Sequence, residues 1–398
     1  MATTNPMADT SSAPARSAGS LLVLLPDLQQ PQFEALLANL AVSVPADEVL
    51  IAAPEGVQHD LYPAFRFVAA PPTKSAWTLT AADFANAHQI AANNNLRAIL
   101  MLGRECDSLN SSSLRDLANS VLSAPIDLAV PRYDLPPRAG LVNSSVLYPL
   151  SRALFATRVR FPLAIDLGLS LRMAERLAGV AHRFVALNQG EAPLWPVSEA
   201  TVAGMTIEEV DVAERKFPQP AEPDLSTILP FVTGSLFSDI DSKAAFWQRA
   251  RVTPPSHNRL LAGPSSPSDV AAEVASMIQS FRLAYSNLLD IWGLILPPNS
   301  LLGLKRLSQL DGAAFRMPDH LWARIVFDFL VAYRLRSMNR GHLLGALIPL
   351  YLAWVASHMN IIASGANPER HVEAVAAAFE ADKAYLVARW RWPDRFNP

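Results

Sequence analysis

Cysteine is almost missing from this chain of 398 residues: Cys106 stands alone, which excludes an intramolecular disulfide framework and a cysteine-built zinc site. A reducing, cytoplasmic compartment fits that usage. There is no surplus of positive charge either. Lys and Arg number 33 against 36 Asp and Glu, for a net charge of −3, and no stretch joins clustered cations to spaced aromatics. Nucleic acid is therefore excluded as a partner. Long apolar runs are lacking too. The longest, Leu343 to Ala356, is interrupted by Pro349 and flanked by Arg340, His342 and His358, short of the roughly 18–20 residues a membrane span needs. It reads as a buried helix in a soluble bundle. The Gly-x-Ser-x-Gly elbow, the Walker loop, the His-Glu-x-x-His pair and the Gly-x-Gly-x-x-Gly fingerprint do not occur, so hydrolase, P-loop and dinucleotide readings have no support.

What is present is apolar. With 51% hydrophobic and only 17% charged residues, and a mean hydropathy of +0.17, the chain is too hydrophobic to stay unfolded. Its length suggests about two to three domains. Residues 1–19 differ: they are rich in Ala, Thr, Ser and Pro without a basic segment before an apolar one, and read as a disordered leader, not a signal peptide.

Short apolar runs then alternate with helical periodicity. Leu21–Leu25, Glu48–Ala53, Phe65–Ala69, Ala98–Leu102 and Asp127–Val130 predict strands; Phe33–Leu40, Ala81–Asn94 and Ser113–Leu122 predict helices, the last capped by the serines at 111 to 113. The alternation predicts an α/β fold with a mostly parallel sheet covered on both faces, with ligands bound beyond the carboxyl ends of its strands. From about residue 224 the pattern is helical: 224–237, 268–292, 320–338, 340–362 and 368–389, with 251–267 as a Pro-rich linker. The expected organisation is an α/β nucleotide-binding-type domain over 20–217 and an all-helical C-terminal domain over 218–398.

The loop after the strand ending at Leu102 reads Gly103-Arg104-Glu105-Cys106-Asp107-Ser108. Carboxylates at that strand end are placed to hold Mg²⁺ or Mn²⁺ against a diphosphate, or else to cap a solvated loop. His257 and His320 are isolated and read as loop or cap residues.

Further on, Tyr133, Asn143, Tyr148-Pro149-Leu150, Arg152-Ala153-Leu154, Arg160, Pro162 and Asp166 follow one another in a dense segment. It resembles the acceptor-side segment of GT-A glycosyltransferases of the mannosylglycerate synthase and glucosyl-3-phosphoglycerate synthase type and related bacterial family-2-like transferases. Trp195 with Glu199, Ala200 and Gly204, the stretch Asp224-Leu225-Ser226 through Gly234-Ser235-Leu236-Phe237, and Met317-Pro318-Asp319 through Pro349-Leu350-Tyr351-Leu352 are similar to later parts of that group, extending the likeness over about residues 20–395. The resemblance implies a GT-A-like nucleotide-diphospho-sugar transferase domain. Its expected activity is retaining transfer of a glycosyl group from a nucleotide sugar to a small, glycerate-like acceptor. Asp166 would contact the transferred sugar, and Lys74, Arg104, Glu105 and Tyr133 would bind the nucleotide sugar. Glu105 would also bind a divalent metal, Mg²⁺ or Mn²⁺.

The departures from that pattern concentrate on the metal. The family's Asp-x-Asp falls on Gly103-Arg104-Glu105, a further Asp is lost at Glu191-Ala192-Pro193, its metal-ligand His falls on Phe217, and paired glycines become Ala164 and Ile165. Glu105 alone would make a weak ion site. Arg104, with Arg215 or Lys216, is then either the replacement for the cation at the leaving diphosphate or an ordinary surface cation. Two expectations follow: a transferase with an impaired metal site, or an inactive paralogue acting as binding or regulatory partner of an intact one. A homodimer is the other expected assembly.

Overall fold

The computed structural model describes residues 20–54, 62–71, 78–123, 125–213, 215–217, 225–250 and 270–393. The expected leader, Lys74, His257 and the Pro-rich segment 251–267 lie outside them.

Seven described strands, β1 (Leu21–Leu24), β2 (Val49–Ala53), β3 (Arg66–Ala69), β4 (Ala98–Met101), β5 (Leu128–Tyr133), β6 (Leu167–Ser170) and β7 (Ile207–Val212), form one sheet in the order β3-β2-β1-β4-β6-β5-β7. The strands β1, β2 and β4 are buried at every position. Unbroken apolar runs are what a sheet covered on both faces requires. The sheet is mixed: β6 runs antiparallel to β4 and β5, and the other pairs are parallel. Gly168 in β6 is needed for close approach, since a Cβ there would lie 2.8 Å from the Leu117 carbonyl oxygen.

The helices α1 (Gln30–Ser43), α2 (Ala81–Asn93), α3 (Ser111–Ser123), α4 (Tyr148–Phe155), α5 (Leu171–Ala186) and α6 (Pro196–Ala203) belong to the first half of the chain. The cap of α3 is a correction to the serine expectation. Asn110 Oδ1 accepts from the Ser113 N–H at 2.8 Å, because the serines are themselves inside the helix. In α5, Met173, Ala174, Leu177, Ala178 and Ala181 form the buried stripe and Ser170 accepts from the Met173 N–H.

The second half holds α7 (Leu225–Ser242), α8 (Ala244–Trp247), α9 (Val270–Ile295), α10 (Pro298–Ser308), α11 (Asp319–Leu335), α12 (Arg340–Ala363), α13 (Pro368–Ala381) and α14 (Lys383–Arg391). The single helix expected over 368–389 is two, separated at Asp382. By length and composition α12 could cross a membrane, yet 61% of its apolar window is buried inside the protein.

Two large apolar clusters result, one around the sheet and one among the helices. The helical cluster also takes in Val146 to Phe155 and Trp195. Polar ties lock that insertion. Arg152 pairs with Glu373 at 2.6 Å and Glu380 at 2.9 Å, Arg160 with Glu369 at 3.0 Å, and Trp322 Nε1 donates to the Ser145 carbonyl at 2.8 Å. The dense segment from Tyr148 to Arg160 is thus the joint between the sheet and the helices.

Candidate functional site

The strand order reverses direction at β1, with β2 on one side and β4 on the other. A crevice beyond the carboxyl ends of such strands is where open α/β sheets bind ligands. Because β6 runs backwards, the residue that precedes it, Asp166, sits at this same edge beside the end of β4, where Met101 pairs with Leu167.

Four donors converge on the Asp166 carboxylate. The Gly103 N–H donates at 3.0 Å, the Tyr133 hydroxyl at 2.9 Å, Arg215 Nε at 2.8 Å and Arg215 Nη2 at 3.0 Å. Neither side chain of the Asp166–Arg215 pair is exposed. Burial opposes the Arg215 charge, but Asp166 outweighs it and holds the guanidinium above its ordinary range. Burial, reinforced by Asp166, also raises Tyr133, so its hydroxyl stays a donor.

Arg215 in turn shapes the loop after β4. Its Nη2 donates to the Arg104 carbonyl at 2.7 Å and the Gly103 carbonyl at 3.4 Å. The next residue, Glu105, has φ +60°, a left-handed conformation that costs a side-chain-bearing residue roughly 1–2 kcal/mol. The turn is further held by Ser108 Oγ, which donates to the Glu105 carbonyl at 2.6 Å. Gly103 cannot be larger without movement: a Cβ would stand 2.9 Å from Ile165 Cβ. Arg104 Nε is buried without a hydrogen-bond partner, and no ion pair engages this guanidinium among the described residues.

Gln32, on α1, was not singled out in the sequence. Its amide donates to Glu105 Oε2 and to Asp107 Oδ1, each at 3.4 Å, so the fold draws those two acids toward one point. As an ion site the set fits poorly. No group of three or more His, Cys, Asp or Glu side chains converges among the described residues, and an amide donor already stands between the two carboxylates. Cys106 is buried between them, its thiol pushed up by burial. Phe217 stacks edge-on against Tyr133 with ring centroids 4.8 Å apart.

Tyr133 has a second face. With Arg132, Ser144, Arg160 and His358 it lines a small polar cavity where the α/β part meets α12 and α13. There Arg160 gives Nε and Nη2 to Glu369 and Nη2 to Ser144, while its buried Nη1 has no partner. An unsatisfied buried donor in a cavity wall calls for an oxygen acceptor. His358 and His371 face each other Nδ1 to Nδ1 at 2.6 Å behind this cavity. His320 lies apart, exposed at the start of α11.

Thus the fold brings Arg104, Glu105, Tyr133, Asp166 and Arg215 to one sheet edge. The joining signal is long-range, and only the candidate residues themselves were visible in the sequence.

No protein-family profile matches the chain, and no curated protein does. Among solved structures, glucosyl-3-phosphoglycerate synthase from Mycobacterium tuberculosis with phosphoglyceric acid aligns at 13% identity over 62% of this chain and 85% of that one, TM-score 0.36. The same synthase with Mn²⁺, uridine diphosphate and glucosyl-3-phosphoglycerate aligns at 14% identity over 62% and 85%, TM-score 0.37. A further mycobacterial protein aligns at 12% over 63% and 82%, TM-score 0.37. At values this low neither fold nor function carries over, and the functional reading rests on the chain's own residues.

Proposed function

We propose that this chain is a GT-A-type protein that binds a nucleotide sugar at the carboxyl edge of β1 and β4 and transfers the glycosyl group to a small hydroxylated acceptor. The observation that supports the reading is the clamp of Arg215 on the Gly103 and Arg104 carbonyls, which fixes the backbone of the loop after β4 at the switch point of the sheet, with the Arg104 guanidinium free of any carboxylate among the described residues. A free guanidinium there suits a diphosphate, which accepts bidentate hydrogen bonds. In this reading Asp166 acts through Arg215, as a positioning residue. The cavity on the far side of Tyr133 is about 40 Å³, too small for the acceptor, and suits a water that accepts from Arg160 Nη1.

During transfer the bond from the sugar's anomeric carbon to the diphosphate oxygen breaks with its electron pair on that oxygen, and the acceptor hydroxyl oxygen bonds the carbon while its proton passes to the departing diphosphate. Arg104 offsets the charge that develops on the leaving group. No step is routed through a metal, because the donor set described above fits one poorly.

The experiment is calorimetric titration of the full chain with UDP-glucose and GDP-mannose, with and without Mn²⁺, followed by a radiolabelled transfer assay to glycerate and 3-phosphoglycerate. Saturable binding lost in Arg104→Ala supports the reading, and absence of binding to every nucleotide sugar overturns it. A second reading, an inactive paralogue that binds without transfer, is favoured by one observation: both Asp166 oxygens are taken by protein donors and none is open to a sugar hydroxyl. Binding without turnover would decide for it.

A further inference from the structure

A second cavity lies away from that edge, between α5 and α6 on one side and α7, α11 and α12 on the other, with a volume of about 510 Å³. That is within the size range of small-molecule sites, which favour seams between structural units. Its wall is largely apolar, built from Phe184, Leu187, Leu194, Trp195, Phe231 and Leu344. At the mouth, Leu187 is 68% exposed and Phe231 39% exposed.

The charges around it are unevenly satisfied. The two acids in the wall, Glu199 and Asp239, are already neutralised: Lys243 Nζ lies 2.7 Å from Glu199 and also pairs with Asp239, and Arg176 lies 3.0 Å from Glu199. Ser198 Oγ donates to Asp239 at 2.7 Å as well. The two cations in the wall are not. Arg183, in the last turn of α5, has no ion pair or hydrogen bond among the described residues. Arg340 rests on the Tyr333 ring, 4.0 Å from its centroid, and gives Nε to the Tyr333 carbonyl at 3.4 Å, with no carboxylate partner among the described residues. An apolar cavity whose only unneutralised charges among the described residues are two guanidinium groups is complementary to a molecule with an apolar body and one anionic head.

We propose that this cavity binds a monomeric anionic amphiphile, a carboxylate on a medium-length alkyl chain, with the chain against Trp195 and Leu344 and the head at Arg183 and Arg340. The site is separate from the nucleotide-sugar reading and stands or falls without it.

The test is calorimetric titration of the full chain with decanoate, below its micellar concentration, beside decyltrimethylammonium and decanol. The expected result is one saturable site for decanoate, none for decyltrimethylammonium, and at least a tenfold loss of decanoate affinity in Arg183→Ala/Arg340→Ala. Leu187→Glu, at an exposed position where a substitution leaves folding intact, should weaken decanoate more than decanol, because both lose the apolar contact and only decanoate meets a like charge. Equal binding of the cationic and anionic chains, wild-type affinity in the double variant, or attachment to anionic phospholipid vesicles without binding of monomeric decanoate would each overturn the proposal.

Discussion

The Arg215 guanidinium lies 2.8 Å from one oxygen of Asp166 and 3.0 Å from the other, in a place where neither side chain meets solvent. Removing one member of such a pair leaves a buried charge uncompensated. Asp166→Ala is expected to lower stability by about 3–5 kcal/mol. The double variant Asp166→Ala/Arg215→Ala should lose less than the sum of the singles, with a coupling of about 0.5–3 kcal/mol. Urea denaturation of the four proteins measures this, and strict additivity would contradict it.

Arg104 predicts the opposite profile. It has no carboxylate partner to abandon, so Arg104→Ala should leave the urea midpoint unchanged while nucleotide-sugar affinity falls at least tenfold, about 1.4 kcal/mol. Chelator should not alter the wild-type affinity, and Glu105→Ala should leave turnover intact. A loss of turnover on adding EDTA would restore a metal to the mechanism.

Gly103 tests the close packing of the loop after β4 against Ile165. A methyl group there meets Ile165 Cβ at 2.9 Å and the Ile165 carbonyl at 3.0 Å. Gly103→Ala is expected to cost about 1–3 kcal/mol, and less than that when it is added to Ile165→Gly, whose own cost is the loss of a buried side chain. Thermal unfolding of the single and double variants is the readout.

The histidine pair predicts acid sensitivity. Burial, then His371, then Arg160 lower His358 from 6.5 to about 3. The unfolded chain therefore binds a proton that the folded one refuses between those values, so stability falls as pH drops through this window, by up to about 1.4 kcal/mol per pH unit. His358→Phe should flatten that part of the profile in urea midpoints measured from pH 7 to pH 4. An unchanged slope would show that His358 is not responsible.

Much of the fold was legible locally. Leu21 to Leu24, Val49 to Ala53 and Ala98 to Met101 are apolar at every position because both faces of the sheet are covered, and runs of that kind announce themselves. β6 did not. Four residues ending in Ser170 carry too little pattern to identify a strand, and its reversed direction comes from the slot between β4 and β5. The break at Asp382 between α13 and α14 was likewise hidden, since the helical periodicity runs through it.

The candidate site divides the same way. The position after a strand was enough to single out Glu105, because strand ends can be read from neighbours along the chain, whereas Arg104, Tyr133 and Asp166 were singled out only through the resemblance to GT-A glycosyltransferases. Their partnership was decided in three dimensions: Arg215 reaches Asp166 across 49 residues, and Gln32 reaches Glu105 and Asp107 across 73 and 75. Pairing energy at those separations depends on distance through space and on exclusion of water, and neither quantity exists until the chain has folded.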